Sequence, residues 1–369
     1  MAEHEDAPAD RRTDGPDGAD EAAGPAGPDA STLASAVVDV ERSLLGEAPT
    51  LTTTQVAERA GVPRDTSVEL WRLMGFAQAG DDEVAFTEAD VVALRQAQDL
   101  IDLGILSPER QAALVRTWGR SFARLAEWQT SLLASVALES AQETGGDPTD
   151  VLPGLAEEVL PRVEALQAYV WRRHLATAGA RLMSVPDPAA TARPQSVCFV
   201  DIVGYTTRSR SLSETELVDW LEGFESRTLD LVVAAGGRII KNIGDEVLLV
   251  CDDPAAALSV ALEMVRLGAD DDADFPAVRA GIAHGDVVNR LGDVFGPTVN
   301  VAARLTSVAH PGTVLIDRGA HDALHGEHDD DAPGGDRDGD DAAAYSLKRL
   351  RRVSVKGYSR LQAWRVRAR

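Results

Sequence analysis

Cysteine is scarce in this chain of 369 residues. Its 2 cysteines, Cys198 and Cys251, each lie in an apolar, strand-like segment and have no metal-ligand spacing. This pattern is typical of buried thiols in a reducing compartment, and it argues against a disulfide framework or a cysteine zinc site.

Basic residues are too few to balance the acidic ones. The chain has 36 Lys and Arg against 60 Asp and Glu, which gives a formal net charge of -24. Because nucleic acid and anionic membranes attract basic surfaces, we expect neither as a partner. A polyanionic substrate would have to be neutralised locally, by metal ions and a few lysines.

Long apolar runs and a basic N-terminus are also absent. No run approaches the roughly 18 residues that a membrane-spanning helix needs. The N-terminus is acidic and rich in Pro and Gly, rather than basic and then apolar. We therefore predict no membrane span and no signal peptide, and we expect a cytoplasmic protein.

Composition divides the chain into four parts. The first part has almost no large apolar residue, so it buries too little to offset its chain entropy and should be a disordered tail. A helical region, a linker with three prolines, and a region of alternating strands and helices follow. The predicted limits are 1–32, 33–183, 184–194 and 195–369, with an acidic low-complexity loop inserted at 326–343.

The helical region opens with a helix-turn-helix pattern. A capped helix ends at Gly61, a turn follows at Pro63, and a second helix runs through Trp71. This spacing is typical of DNA-binding proteins, but acidic residues outnumber arginines here, whereas a phosphate-facing helix should be basic. We therefore interpret the region as a structural or regulatory all-α domain.

Two long amphipathic segments complete the helical region, from Pro108 to Glu143 and from Leu155 to Met183. Aromatic and leucine side chains recur in them at helical spacing, which is more typical of packing residues than of a cofactor site. A helix pair of this length can pack against a copy of itself, so we expect a dimer contact here.

Strand and helix patterns alternate after the linker. A strand over 196–203 leads to a helix and a hairpin, then to a helix from Pro254, a strand pair over 278–289 and a helix over 298–307. The βαββαβ order predicts a ferredoxin-like sheet with helices on one face. The expected fold class is therefore α+β, with the all-α domain in front.

Two carboxylates interrupt the apolar strands of this region. Asp201 lies inside the first strand, where a charge is costly unless a cation or a donor meets it. In the hairpin, Lys241 ends the first strand and Asp245 begins the second. If the first strand lies beside the hairpin, Asp201 and Asp245 converge as ligands that suit Mg²⁺ or Mn²⁺ bridging to phosphates. A simple ion pair between Lys241 and Asp245 is the alternative.

Three further motifs stand out in this region, namely FVDIVGYT at 199–206, KNIGDE at 241–246 and FGPTVNVAARL at 295–305. Together they resemble the catalytic domain of class III adenylate and guanylate cyclases. The resemblance covers about residues 196–366, nearly half of the chain. It implies a nucleotide cyclase, which is a phosphorus-oxygen lyase.

The resemblance assigns roles to individual residues. Asp201, Asp245 and the backbone carbonyl of Ile202 would be the ligands of two Mg²⁺ or Mn²⁺ ions per site. Asn300 and Arg304 would be catalytic, because in the family they orient the ribose and stabilise charge on the α-phosphate.

Three further residues would bind the substrate. Lys241 and Asp293 match the pair that reads adenine in adenylate cyclases, a donor for the ring nitrogen and an acceptor for the 6-amino group. Lys356 matches the lysine that meets the terminal phosphates. We therefore expect ATP rather than GTP as the substrate, and 3′,5′-cyclic AMP and pyrophosphate as the products.

The spacing of these residues bears on assembly. Lys241 and Asp245 would serve opposite ends of the nucleotide although they are only four residues apart. In the family, a head-to-tail homodimer shares each site between two chains, and we expect the same arrangement here.

The helical region resembles the regulatory domain that precedes the catalytic domain in soluble, pH-sensitive cyclases of actinobacteria. Its role would be to shift the catalytic halves between two arrangements. His174 lies near the linker, and histidine is the residue type best suited to sensing pH in this range, which makes it a candidate sensor. A solvated helix histidine is the alternative.

Two other functions stay open at this point. The first is a guanylate cyclase or a catalytically weak cyclase. The second is a DNA-binding or ligand-binding regulator with a degenerate cyclase fold, which would lack a metal aspartate or a transition-state residue. None of these residues is missing from the sequence.

Overall fold

The computed structural model describes residues 42, 44–104, 108–184, 187, 190–270, 272–325, 345–355 and 358–368. The chain divides into two compact units, Met1–Ala178 and Gly179–Arg369. The predicted tail (1–32) and the acidic insertion (326–343) lie outside the described residues, and the domain limits drawn from the sequence stay predictions.

The first unit is helical. Its elements are α1 (Thr53–Ala60), α2 (Arg64–Met74), α3 (Glu88–Asp102), α4 (Pro108–Thr144) and α5 (Pro148–Ser184), whose last residues belong to the second unit. Thr52 and Gln55 form the capping box that starts α1, and Gly61 ends this helix in the left-handed conformation. The predicted helix-turn-helix is therefore present.

The short helices α1 to α3 enclose a small apolar core, which includes Val56, Trp71 and Leu94. Side chains on the long helix α4, such as Phe122 and Trp128, are more than half exposed in the single chain. Although α4 and α5 each have 37 residues, no helix in the described part of the chain is apolar enough to cross a membrane.

The second unit is built on a mixed sheet. Its elements are β1 (Ala192–Ile202), α6 (Tyr205–Ser209), α7 (Glu214–Ala234), β2 (Arg238–Ile243), β3 (Glu246–Cys251), α8 (Pro254–Leu267), β4 (Val278–Arg290), β5 (Asp293–Phe295), α9 (Pro297–Val308), β6 (Val314–Asp317), α10 (Arg318–His325), β7 (Tyr345–Val355) and β8 (Tyr358–Ala368). The strand order is β2-β3-β1-β4-β6-β8-β7, and β5 pairs with β4. Along β2, β3, β1 and β4 each strand is antiparallel to the next, whereas β4 and β6 are parallel. This is the ferredoxin-like arrangement, so the predicted α+β fold class is confirmed.

Alternation along β1 divides the core of this unit into two layers. Cys198 and Val200 belong to the layer that contains α7 and α8, whereas Val197 and Phe199 belong to the layer that contains α9. The prediction that helices cover only one face of the sheet was wrong, because α9 covers the second face.

Strand β4 is a single strand of 13 residues rather than the predicted strand pair. The chain reverses only after it, at Leu291 and Gly292, whose φ angles are 53° and 79°. Two successive residues with positive φ are typical of the tight turn of a β-hairpin. The hairpin β4–β5 places Asp293 opposite Arg290.

Gly281 marks the place where α9 packs against β4. A Cβ at this position would lie 2.4 Å from the Thr306 nitrogen and 2.6 Å from the Ala302 carbonyl oxygen. Because these are backbone atoms, the helix would have to move, and we expect Gly281→Ala to lower the free energy of unfolding by about 1–3 kcal/mol.

Gly223→Ala in α7 is the matched control for this prediction. Nothing lies within 4 Å of the Cβ that it would add, so the change should stabilise the chain by about 0.5–1 kcal/mol. Urea unfolding followed by circular dichroism measures both effects. A similar result for the two variants would contradict the close contact at Gly281.

Candidate active site

The end of β1 and the tip of the β2–β3 hairpin meet at one edge of the sheet. Asp201 is the register partner of Glu246, and the Ile202 N–H donates to the carbonyl oxygen of Asp245 at 3.1 Å. Asp245 lies in the turn rather than at the start of β3. The structure thus brings Asp201, Ile202 and Asp245 together, and their roles as metal ligands stay predictions.

Asp201 meets a cation that the sequence analysis did not identify. Its register partner on β4 is Arg279, whose Nε donates to the Asp201 carboxylate at 2.6 Å. The side chain of Asp201 is only 15% exposed, so it needs such a partner. No local pattern could have revealed Arg279, because the pairing depends on which strand lies beside β1.

Glu246 is the second residue that the sequence analysis missed. Burial, together with the nearby carboxylates of Asp201 and Asp245, raises its pKa to about 7, although Arg279 opposes this shift. Three carboxyl groups therefore concentrate negative charge at this edge of the sheet. Such a concentration is relieved by a cation or by a proton.

The donor set at this edge fits a divalent cation that is shared with a substrate. Among the described residues, no three His, Cys, Asp or Glu side chains are grouped so that they could hold a metal ion by themselves. Two carboxylates and one carbonyl oxygen leave coordination positions for water and phosphate oxygens, which is how Mg²⁺ is usually held in phosphate chemistry. The residues present are therefore compatible with the predicted ions.

A second polar site lies between β2 and the β4–β5 hairpin. Lys241 Nζ donates to Asp293 Oδ2 at 2.5 Å, and Asp293 Oδ1 accepts the Val294 N–H at 2.8 Å. Although partial burial raises it, these hydrogen bonds hold the pKa of Asp293 below its ordinary value. A cation and an ionised carboxylate thus lie side by side, and they can offer a donor and an acceptor to a planar ligand.

A β-bulge sets the direction of Lys241. The register between β2 and β3 shifts so that Ile240 is an extra residue. Arg238 pairs with Val250 and Lys241 pairs with Leu248, and both partners belong to the layer that contains α9. Simple alternation would have put Arg238 and Lys241 on opposite faces, so the sequence alone did not reveal that they share one.

Helix α9 carries the two predicted catalytic residues. Val301 and Leu305 bury one side of the helix against the sheet, whereas Asn300 is exposed and Arg304 is partly buried. Asn300 and Arg304 lie one turn apart and therefore share a side of the helix. Their catalytic roles stay predictions.

Two further residues, Lys356 and His174, were predicted to have a role in binding or regulation. Lys356 lies outside the described residues. His174 lies on α5 in the first unit, where its side chain is exposed. Its role as a pH sensor stays a prediction.

Comparison with known proteins agrees with the geometry. Residues 189–367 match the model of the adenylate and guanylate cyclase catalytic domain. The chain is 41% identical over 279 residues to an adenylate cyclase of Streptomyces coelicolor, a match that covers 75% of this chain and 72% of the relative. It is 40% identical over 281 residues to an adenylate cyclase of Streptomyces griseus, with 76% and 70% covered. It is 33% identical over 296 residues to a pH-sensitive adenylate cyclase of Mycobacterium tuberculosis, with 77% and 72% covered.

The pair of Asp201 and Arg279 can be tested by a double-mutant cycle. Arg279→Gln leaves a mostly buried carboxylate without its cation, so we expect the free energy of unfolding in metal-free buffer to fall by about 1–3 kcal/mol. Combining it with Asp201→Asn should recover most of this loss, because neither charge then remains.

The exposed pair of Arg266 and Glu263 provides the control for this cycle. Arg266→Gln removes a hydrogen-bonded ion pair on α8 and should cost less than about 1 kcal/mol. Urea unfolding of the variants gives the comparison. If the effects of Arg279→Gln and Asp201→Asn simply add, the two side chains do not stabilise each other.

Proposed function

Because the chain belongs to the family of adenylate and guanylate cyclases, we propose that it is an adenylate cyclase, which converts ATP to 3′,5′-cyclic AMP and pyrophosphate. The hydrogen-bonded pair of Lys241 and Asp293 carries the choice of ATP. Adenine has a ring nitrogen that accepts from an ammonium and an amino group that donates to a carboxylate. Guanine has an N–H and a carbonyl oxygen at the same positions, which would leave both side chains mismatched.

The names of the relatives support this choice, since the three compared above are adenylate cyclases. The actinobacterial relatives match over about three quarters of this chain, so the likeness extends beyond the catalytic domain. We therefore infer that the helical N-terminal region regulates the cyclase, with His174 as the candidate sensor.

The carboxylate edge of the sheet would serve the triphosphate. Asp201, Asp245 and the Ile202 carbonyl would hold Mg²⁺ or Mn²⁺, two ions per site, which when bound activate the 3′-hydroxyl and neutralise phosphate charge. Arg279 orients the Asp201 carboxylate by a hydrogen bond to one oxygen, Oδ2. Glu246 lies beside both aspartates and adds a third carboxyl group to this edge.

Charge on the reacting phosphate would be met from α9. Arg304 offers several donors in a fixed, planar arrangement, which suits the oxygens of a phosphate in the transition state. Asn300, one turn earlier, would hold the ribose so that its 3′-hydroxyl faces the α-phosphate. Lys356 would bind the terminal phosphates.

Each site would be shared between two chains. Lys241 is bound to Asp293 at the β4–β5 hairpin, whereas Asp245 lies only four residues further, at the tip of the β2–β3 hairpin. A nucleotide holds its base and its triphosphate far apart, so we propose that one protomer supplies the metal ligands. Its partner then supplies the base-reading pair and the catalytic residues of α9, and a two-fold axis creates two equivalent sites.

The proposed reaction is tested with the purified full-length chain, Mn²⁺ and either ATP or GTP. We expect cyclic AMP from ATP, and lower kcat/KM with GTP by at least about tenfold. Replacing Lys241→Glu together with Asp293→Cys should lower ATP turnover by about 100-fold, because the base is no longer matched. Product chromatography measures both results.

The other outcomes of this assay distinguish the alternatives. Cyclic GMP as the main product of the wild-type chain would make it a guanylate cyclase. No cyclic product from either nucleotide would favour a non-catalytic regulator. Unchanged ATP turnover in the double variant would show that Lys241 and Asp293 do not read the base.

Shared sites are tested by mixing two inactive variants. Asp201→Ala removes a metal ligand, and Asn300→Ala removes a catalytic residue that the partner would supply. A mixed dimer then has one intact site, and half of the dimers are mixed, so activity should recover to about a quarter of the wild-type value.

A mixture of Asp201→Ala and Asp245→Ala proteins is the control for this experiment. Both variants lose a ligand from the same half of the site, so neither site of their mixed dimer is intact. We expect no recovery of cyclic AMP formation. Recovery in both mixtures, or in neither, would contradict sites that are shared in this way.

A further inference from the structure

Four hydrogen-bonded side chains form a polar row on the sheet near the base-reading pair. Arg238 Nη2 donates to Asn289 Oδ1 at 2.7 Å, Asn289 Nδ2 donates to Gln195 Oε1 at 2.9 Å, and Gln195 Nε2 donates to Asp252 Oδ1 at 2.6 Å. All three hydrogen bonds are donated in the same direction, from the cation towards the carboxylate. Hydrogen bonds aligned in this way polarise and strengthen one another.

The polar row connects four separate parts of the sheet. Arg238 is on β2, Asn289 on β4 and Gln195 on β1, and Asp252 directly follows β3. Gln195 is only 5% exposed, so its amide needs both partners. Burial lowers the pKa of Arg238 and the charge of Asp252 opposes this shift, so the last member of the row also acts on the first.

The polar row adjoins both members of the base-reading pair. Arg238 lies three residues before Lys241, and the bulge in β2 turns both towards the same face. Asn289 is the register partner of Val294, the residue after Asp293. Two side-chain contacts therefore join β2 to the β4–β5 hairpin, namely Arg238 with Asn289 and Lys241 with Asp293.

Backbone pairing does not fix the distance between these two elements. In the sheet, β3 and β1 lie between β2 and β4, and β2 is an edge strand. Lys241 and Asp293 are 42% and 31% exposed, and an exposed ion pair by itself holds structure only weakly. Asn289 is exposed as well, but its amide also donates to the buried Gln195, which anchors it to β1. When a base enters, these two side chains must also turn from each other to the ligand. Of the two side-chain contacts between β2 and the β4–β5 hairpin, only that of Arg238 with Asn289 then remains.

We propose that the polar row positions the Lys241–Asp293 pair and so determines how strictly the site distinguishes adenine from guanine. This inference rests on the proposed function, since it concerns the same nucleotide site. Arg238, Asn289 and Gln195 are positioning residues that act through the pair and do not touch the base. Selectivity depends on their contacts because a donor and an acceptor reject the wrong base only when their spacing is fixed.

The first test uses Asn289→Ala and Arg238→Gln in the full-length chain. Each should lower the ratio of kcat/KM for ATP to kcat/KM for GTP by about tenfold, mainly through a higher KM for ATP, because a loosened pair binds adenine less well. The double variant should be no less selective than either single variant, since both remove the same contact. Melting temperatures should stay within a few degrees of the wild-type value.

Arg266→Gln is the matched control, because it also removes an arginine hydrogen bond but lies on α8, in the other layer of the unit. It should leave the selectivity ratio unchanged. The second measurement is amide hydrogen exchange over residues 291–296 without nucleotide. Exchange there should be faster in Asn289→Ala than in the wild-type chain, and unaltered in Arg266→Gln.

Equilibrium binding of ATP and GTP separates this proposal from the proposed function. A wild-type chain that binds ATP more tightly but forms no cyclic AMP would contradict the reaction, while loss of its binding preference in Asn289→Ala would still support the polar row. A wild-type chain that binds both nucleotides equally would overturn the row's role. Unchanged preference and unchanged exchange in Asn289→Ala would overturn it as well.

Discussion

The pairing of β1 with both β3 and β4 is the constraint on which the catalytic unit depends. It buries an apolar strand on both faces and, at the end of that strand, places Asp201 between Glu246 on one side and Arg279 on the other. A carboxylate at a central strand end is costly, and here one neighbour supplies the compensating cation. The same register brings the turn with Asp245 to the end of β1, so the arrangement of the proposed metal ligands follows from the pairing of the strands.

The two polar sites differ in how firmly the sheet holds them, because their residues lie on different strands. The carboxylate edge belongs to β1 and β3, which are paired on both sides and buried in two apolar layers. The pair of Lys241 and Asp293, which we propose reads the base, belongs to the edge strand β2 and to a hairpin that extends from β4. In the proposed reaction, the phosphates would therefore be held at strands that are paired on both sides, whereas recognition of the base would depend on side-chain contacts between two peripheral elements.

Local patterns in the sequence predicted a large part of this structure. Capping signals and apolar periodicity gave the helices and the βαββαβ order, and an isolated carboxylate in an apolar strand pointed to Asp201. The features that were missed all depend on contacts distant in sequence. Strand register places Arg279 and Glu246 beside Asp201, and the bulge at Ile240 can be recognised only from the pairing of β2 with β3. The face covered by α9 became clear from the close approach of the helix to Gly281.

A polar row made of amides, rather than a second ion pair, has a physical consequence for the neighbouring site. Asn289 and Gln195 each use an oxygen and a nitrogen, so the row transmits orientation without placing a net charge between its ends. A charged residue at either position would change the electrostatic field at Lys241 and Asp293, whose opposite charges would both be needed to match adenine in the proposed site. In this proposal, neutral amides fix the spacing of the pair, and the charges of Lys241 and Asp293 stay available to interact with the base. Because its two central residues are uncharged, the row can lie close to Lys241 and Asp293 without adding a charge that would interact with either of them.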